Sequence, residues 1–322
     1  MHGKFITWSP LLILGVLGVL AGLGRLMISE RANTDDNDVP STIVVTSAAD
    51  RGPGSLRSAL FTAMRANRHM TINLQVPVVE LEISLPPVAV AHGITLRGTL
   101  GSPTIIRNAA DDSSAGVLLH LVSKNTELAN VVIEAAGATG IVVGGAQVRI
   151  DGIEVRNGEV GIAAIDAEHL TISDSRFAGN NDGVRIEGTS GSVRIDNNRF
   201  IDNRRNGLWI VFGTTPGQTD STIIVHDNRF SGSRNAFTAA NAVVDLRGNR
   251  VSGFSRAGLT LISSRASIAD NRITDSNGIG MHLVDLSNSY IVSNEVGRNQ
   301  QVGMLIADAK GVQVDSNEIY EN

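Results

Sequence analysis

Along most of the chain, apolar and polar residues alternate in short bursts, as in Val193-Arg194-Ile195 and Val312-Gln313-Val314. A period of two sends successive side chains to opposite sides of a strand, so these bursts predict short strands with one apolar face. Between them a phrase recurs, an Asn followed two residues later by a hydrophobic residue. It reads Asn198-Arg199-Phe200, Asn228-Arg229-Phe230, Asn249-Arg250-Val251, Asn271-Arg272-Ile273, Asn294-Glu295-Val296 and Asn317-Glu318-Ile319. It extends backwards, more weakly, to Ser175-Arg176-Phe177, Ile153-Glu154-Val155 and Asn130-Val131-Val132. Successive first positions are 23, 22, 23, 30, 21, 22, 23 and 23 residues apart. A second phrase keeps step with it: Gly140-Ile141, Gly161-Ile162, Gly183-Val184, Gly207-Leu208, Ala236-Phe237, Gly258-Leu259, Gly280-Met281 and Gly303-Met304.

A fixed period of this size, with about three strands and no helical stretch in each turn, predicts a solenoid. Leucine-rich repeats have a similar period, but their Leu-x-x-Leu-x-Leu pattern is absent. The expected fold is all-β, a right-handed single-stranded parallel β-helix over residues 41–322. Its coils stack about 4.8 Å apart, the spacing of neighbouring strands, so equivalent residues lie above one another. An inward Asn column can then pass amide hydrogen bonds from coil to coil while tolerating the left-handed backbone of a tight turn. Phe177, Phe200 and Phe230 are expected to stack inside, followed by Val251, Ile273, Val296 and Ile319. The Gly column is expected to supply turn conformations.

A solenoid needs closed ends, since an open coil presents unpaired backbone groups. In "TSAADRGPGSLRSALFTAMRAN", Ser55 is placed to cap a helix after Gly52-Pro53-Gly54. Leu56, Ala59, Leu60, Ala63 and Met64 share one face of that helix, making residues 41–68 an N-terminal cap region. The C-terminal phrase Asn317-Glu318-Ile319-Tyr320-Glu321-Asn322 has no such device, which leaves an open coil for a protein partner or for self-association. Ahead of the cap, "FITWSPLLILGVLGVLAGLGRLMI" (5–28) is apolar over the length a membrane-spanning helix needs. Lys4 precedes it and acidic residues follow, an arrangement that keeps the N-terminus inside and exports the rest. No small-x-small cleavage site follows cleanly, which favours a retained anchor over a cleaved signal peptide. Residues 1–28 are therefore expected to be a signal-anchor transmembrane helix and residues 29–40 a flexible stalk.

The segment "SAADRGPGSLRSAL" resembles the N-terminal cap of many exported β-helix proteins. The Asn-x-hydrophobic and Gly-hydrophobic phrases resemble the right-handed β-helix repeats of the pectate-lyase-like superfamily: pectate lyases, carbohydrate-binding sugar-hydrolase modules, alginate epimerases and phage tailspikes. The resemblance covers residues 41–322. It implies a polysaccharide ligand bound along the strand that follows the Gly column, flanked by loops from its turns.

Composition narrows this further. The formal net charge is −5, which argues against a nucleic-acid partner but leaves room for a local basic strip. There is no Cys, hence no disulfide or thiol chemistry. On the strand after each Gly, the period of two points Ala163, Arg185, Trp209, Thr238, Thr260, His282 and Leu305 outward. Trp209 is one of two tryptophans, the other lying in the apolar N-terminal run, and its coil carries the insertion Phe212–Thr222. An aromatic face beside a loop suits stacking on a sugar ring, although the same Trp could simply fasten the loop. Arg205, Arg234 and Arg256 stand two residues before the Gly or Ala of successive coils and should stack beside Arg185. Arginine is suited to bidentate capture of carboxylates. The candidate carbohydrate-binding set is thus Arg185, Arg205, Trp209, Arg234, Arg256 and His282. A second column, Arg176, Arg199, Arg229, Arg250 and Arg272, runs beside Asp174, Asp196, Asp227 and Asp270 and reads mostly as a self-neutralising surface, with polymer binding on a second side as the alternative.

No catalytic set emerges. Asp166, Glu187 and Asp285 lie near strand ends without converging on a motif, and a glycosidase would need a defined carboxylate pair. The polygalacturonase pattern of Asn-Thr-Asp, Asp-Asp and Gly-His-Gly is missing, as is the epimerase Asp-Pro-His-Asp. The outward row has no carboxylates for a pectate-lyase calcium site. His282 has no partner for acid–base work, and Asp111-Asp112 reads as a polar turn. Neither a cofactor nor a metal site is expected. The leading expectation is an exported β-helix at the bacterial inner membrane, its solenoid in the periplasm or extracytoplasmic space, binding an acidic polysaccharide of the cell envelope. The alternatives are a polysaccharide lyase, epimerase or hydrolase, and a non-catalytic structural or assembly scaffold.

Overall fold

From Val117 onwards each turn of the chain lays one strand into each of three parallel sheets, and the earlier turns contribute only to the first two. In the computed structural model, residues 41–109, 116–188, 191–212 and 222–322 are described. Sheet 1 has 12 strands, from Thr42–Val45 to Gln313–Asp315; sheet 2 has 11, from Val78–Leu81 to Glu318–Tyr320; sheet 3 has 9, from Val117–Leu121 to Met304–Ala307. One coil shows the plan: Val193–Asp196 in sheet 1, Arg199–Ile201 in sheet 2, Asn206–Val211 in sheet 3. The inserted segment follows directly, and its residues 213–221 lie outside the described ones, as do Asp111 and Asp112. The apolar members of each alternating run turn inward, so the core is a narrow column. Within it the rings of Phe177 and Phe200 stack at 5.1 Å and those of Phe200 and Phe230 at 4.6 Å. Val251, Ile273 and Val296 continue that column, each buried.

The Asn column forms a ladder at the turn between sheets 1 and 2. The Asn228 backbone N–H and its Nδ2 both donate to Asn249 Oδ1, at 3.0 and 3.1 Å, and Nδ2 also reaches the Ile195 carbonyl at 2.7 Å. The same pattern runs through Asn198, Asn249, Asn271 and Asn294 to Asn317. The ladder residues are not themselves left-handed. The preceding residue takes that conformation: Asn197 at φ 53°, Asp227 at 54°, Asp270 at 57°. Short polar side chains tolerate it best. The first repeat also sits one residue off the expected frame. Val132 pairs with Glu154, so Val131 stands above Ile153 and Asn130 is the left-handed residue, at φ 53°.

The Gly column has a different reason from the one expected. Gly183 and Gly207 are not at positive φ. A Cβ on Gly183 would lie 2.5 Å from the Gly207 carbonyl oxygen, and one on Gly207 2.6 Å from that of Ala236 and 2.8 Å from the Phe230 ring. Close approach of coils, not turn conformation, requires Gly here. Where Ala236 replaces it, the methyl group is buried.

At the N-terminal end, helix α1 (Leu56–Arg65) is capped by Ser55, whose hydroxyl accepts from the Ser58 N–H. Leu56, Ala59, Leu60 and Ala63 are buried as expected, but Met64 is only half-buried and Arg57 takes the inward place. The Arg57 guanidinium meets Asp50 Oδ1 at 2.5 Å and donates to the Ile83 and Ser84 carbonyls at 2.6 and 3.1 Å, so the buried charge is both paired and hydrogen-bonded. Among the described residues, no helix is long and apolar enough to cross a membrane. The segment expected to do so, residues 1–28, and the stalk at 29–40 lie outside them.

Two substitutions test this account. Asn249→Ala leaves the Asn228 backbone N–H without its acceptor and removes one of the Asn228 Nδ2 bonds, and should lower unfolding free energy by about 1–3 kcal/mol. Asp50→Ala strands a buried guanidinium and should cost roughly 3–5 kcal/mol. Urea titration followed by circular dichroism reads both, and a loss well under 1 kcal/mol in either would contradict the corresponding contact.

Candidate functional site

Register decides what faces solvent on sheet 3. Strand pairing aligns His120, Val142, Ala163, Arg185, Trp209, Thr238, Thr260, His282 and Leu305 in a single row. The outward row expected from the period of two is therefore present, extended at one end by Val142 and His120. Trp209 is half-buried, and the Arg185 guanidinium lies over its ring, 4.8 Å from the centroid. Cation–π contact with the preceding coil thus occupies one side of the indole. Arg185 is held there by Glu187, which accepts from its Nε. Beyond Trp209 the row drops to two short side chains, Thr238 and Thr260, before His282. Three coil steps separate Trp209 from His282, about 14 Å at the strand spacing. The result is a short trough with a hydroxyl-bearing floor, an indole at one end and an imidazole at the other.

The turn leading into sheet 3 borders this trough. The Asn235 N–H donates to the Arg205 carbonyl, and the Arg256 N–H to that of Arg234, each at 2.8 Å, so the three arginines are stacked in successive coils as expected. Their side chains are not equivalent. Arg205 is committed internally, to Glu159 at 2.8 Å and to the nearly buried Asp182 at 2.9 Å. Arg234 and Arg256 are exposed and have no ion pair or side-chain hydrogen bond among the described residues. They belong to the coils that carry Thr238 and Thr260. On the opposite side of the floor, strand pairing places Val211, Ala240, Ile262 and Val284 in line, with Ile262 40% exposed. The trough therefore has a cationic margin and an apolar one.

Of the candidate residues, the structure brings Trp209, Arg234, Arg256 and His282 around one floor. Arg185 braces the indole and Arg205 is neutralised at the edge. Thr238 and Thr260 were visible as outward positions but gain meaning only from the larger side chains at each end. His120, at the far end of the row, is half-buried, and burial pulls its pKa below the usual histidine value. The carboxylates do not converge: Glu187 is turned to Arg185, and Asp285 accepts from the Ser263 hydroxyl at 2.9 Å. Among the described residues, no group of three or more His, Asp or Glu is placed to hold a metal ion.

The family described as right-handed beta helix region matches residues 92–242 and again 217–322. The chain belongs to that family. No curated protein sequence matches this β-helix. Among solved structures, the mannuronan C-5 epimerase AlgE4 A-module of Azotobacter vinelandii is similar at 15% identity and a TM-score of 0.64, over 85% of this chain and 93% of that one. Pectate lyase Pel9A is similar at 13% identity and a TM-score of 0.53, over 85% and 80% of the two chains. At these identities the likeness is one of fold.

In a Trp8→Phe background, where Trp209 is the sole tryptophan, its fluorescence should be quenched by acrylamide. Arg185→Ala should increase the quenching by uncovering a ring face. Insensitivity to acrylamide would contradict the half-buried position of the indole.

Proposed function

We propose that this β-helix binds an acidic polysaccharide in the trough between Trp209 and His282. One observation carries the reading: two arginines without ion-pair or side-chain hydrogen-bond partners among the described residues stand in the same two coils whose outward side chains are reduced to threonine, next to a half-exposed indole. The indole and Ile262 offer apolar contact to the face of a sugar ring, and the Thr238 and Thr260 hydroxyls can meet its hydroxyl groups. Arg234 and Arg256, one coil apart, offer bidentate sites for carboxylates on the polymer. The names of the two similar solved structures, a mannuronan epimerase and a pectate lyase, support a polysaccharide as the ligand class. With Glu187 and Asp285 turned to internal partners, the face is read as a binding surface, ahead of a lyase, epimerase or hydrolase.

Export and anchoring belong to the same proposal. The support is the apolar run at 5–28 with Lys4 ahead of it and acidic residues behind it. On this reading residues 1–28 hold the solenoid at the bacterial inner membrane, on its outer side.

Two experiments check the two parts. Titration of Trp209 fluorescence with polygalacturonate should give a saturable change that weakens with salt, while a neutral glucan stays silent. Trp209→Ala, followed by calorimetry, and Arg234→Ala should each reduce affinity about tenfold or more, the scale of a lost charge-assisted hydrogen bond or aromatic contact. Unchanged affinity in both variants would remove the trough as the site, and unsaturated or epimerised products after prolonged incubation would replace binding by catalysis. For the anchor, the chain should stay in the membrane pellet after alkaline carbonate, with its solenoid open to protease in spheroplasts. Release into the supernatant would contradict it.

A further inference from the structure

The outer face of sheet 2 carries five arginines in register: Arg176, Arg199, Arg229, Arg250 and Arg272, paired strand to strand through five consecutive coils. At the strand spacing their backbone positions form a file with steps of about 4.8 Å. Only its ends are neutralised, Arg176 by Glu154 at 3.8 Å and Arg272 by Glu295. Arg199, Arg229 and Arg250 are exposed and have no ion pair among the described residues. The aspartates expected to compensate them do not reach. Asp196 pairs with Arg194 instead, and Asp227 and Asp270 make no ion pair among the described residues.

Like charges placed directly opposite each other on neighbouring strands are destabilising. The same sheet shows the alternative. In its early coils Glu80, Arg107, Glu134 and Arg156 are stacked with alternating sign, and Arg107 pairs with Glu80 at 2.6 Å and with Glu134 at 3.8 Å. That alternating row lies two residues along the strand from the arginine file and continues as the uncharged Ala178, while the arginine file follows Glu154 in its own column and gives way to Glu295 and Glu318. A protein of net charge −5 thus keeps an unrelieved file of cations over the middle of one face.

We infer that this file is a second polysaccharide-binding surface, a track for a linear polyanion lying along the solenoid axis with its acidic groups against successive arginines. It is separate from the trough on sheet 3, and only the choice of a glycan as the polymer rests on the reading of that trough. Alongside the file, the neighbouring row is the half-buried Ala178, Ile201, Ser231 and Ser252 and then the buried Thr274, uncharged and without aromatic rings. A sugar chain can lie flush on such a shelf, whereas single-stranded nucleic acid is normally held by aromatic stacking as well as by charge. The other side is lined by the exposed Asp174, Asp227 and Asp270 at the preceding turn. Those carboxylates would oppose a broad anionic surface such as a membrane, but not a single chain set over the shelf. With both faces occupied, one solenoid would hold two polymer segments and bridge them.

The test uses the full-length chain in a Trp209→Ala background, with and without Arg199→Gln, Arg229→Gln and Arg250→Gln together. The probes are polygalacturonate, its fully methyl-esterified form, oligo-deoxythymidine and vesicles of anionic phospholipid. Polygalacturonate should bind the Trp209→Ala protein with an affinity that falls steeply with salt, and the triple substitution should weaken it about tenfold or more and flatten the salt dependence. The methyl ester should not bind. Because the substitutions relieve repulsion and keep the side-chain stems, the melting temperature should be unchanged or higher. Equal binding by the triple variant would overturn the inference, as would a lower melting temperature, which would show the arginines to be structurally paired. Preference for oligo-deoxythymidine or for vesicles would replace the polysaccharide by that partner. If Trp209→Ala alone abolishes all binding, the trough stands and the track falls; if Trp209→Ala changes nothing and the triple variant binds weakly, the reverse holds.

Discussion

In-register parallel pairing between coils governs this molecule. Each residue's nearest chemical neighbour is the one about a period away in sequence, so every property of a position is read as a column. The Asn ladder fixes that register. Each buried Oδ1 accepts from the coil before it, and a one-residue slip would leave buried donors and acceptors unmatched while turning the strands inside out. The stacked Phe rings and the glycines that let carbonyl oxygens pass close by follow from the same register.

Columns also set the electrostatics. A file of one sign is repulsive, a file of alternating sign is neutral, and a side chain can be satisfied by a residue two coils away. Arg205 shows the last case, reaching Glu159 across 46 residues of sequence. Arg234 and Arg256, one and two coils further on, have no such partner among the described residues. The difference between a structural arginine and one free to meet a ligand therefore lies in the sequence of a different coil. The functional surface is built from such differences: two threonines where larger groups flank them, and free cations where the same column is elsewhere neutralised.

Much of this was legible in the chain. The period, the three strands per turn, the inward Phe column, the capping helix and the outward row through Trp209 all follow from residue order. The first repeat was misframed because Asn130 fits the Asn phrase, while pairing places the apolar Val131 in the ladder column. A second, broken ladder at the turn before sheet 3 went unseen. It runs through Asn180 and Asn203, is interrupted by Ser233 and Phe254, continues through Ser276 and resumes at Asn299 and Asn322. Substitution at three of its rungs hides the period. The state of the arginines was least legible. Proximity in sequence suggested that Asp196 and Asp227 neutralise Arg199 and Arg229, but the left-handed turn between them directs Asp196 to its own strand neighbour Arg194.

The account's central claim is that an acidic glycan contacts sheet 3 between Trp209 and His282. Hydroxyl-radical footprinting of the full-length chain with a short polygalacturonate oligomer reads that contact side chain by side chain. The account predicts protection of Trp209, Ile262 and His282, with Phe61 on the capping helix and Tyr290 on sheet 1 oxidised as in the free protein. Undiminished oxidation of Trp209 and His282 at a saturating oligomer concentration would contradict it.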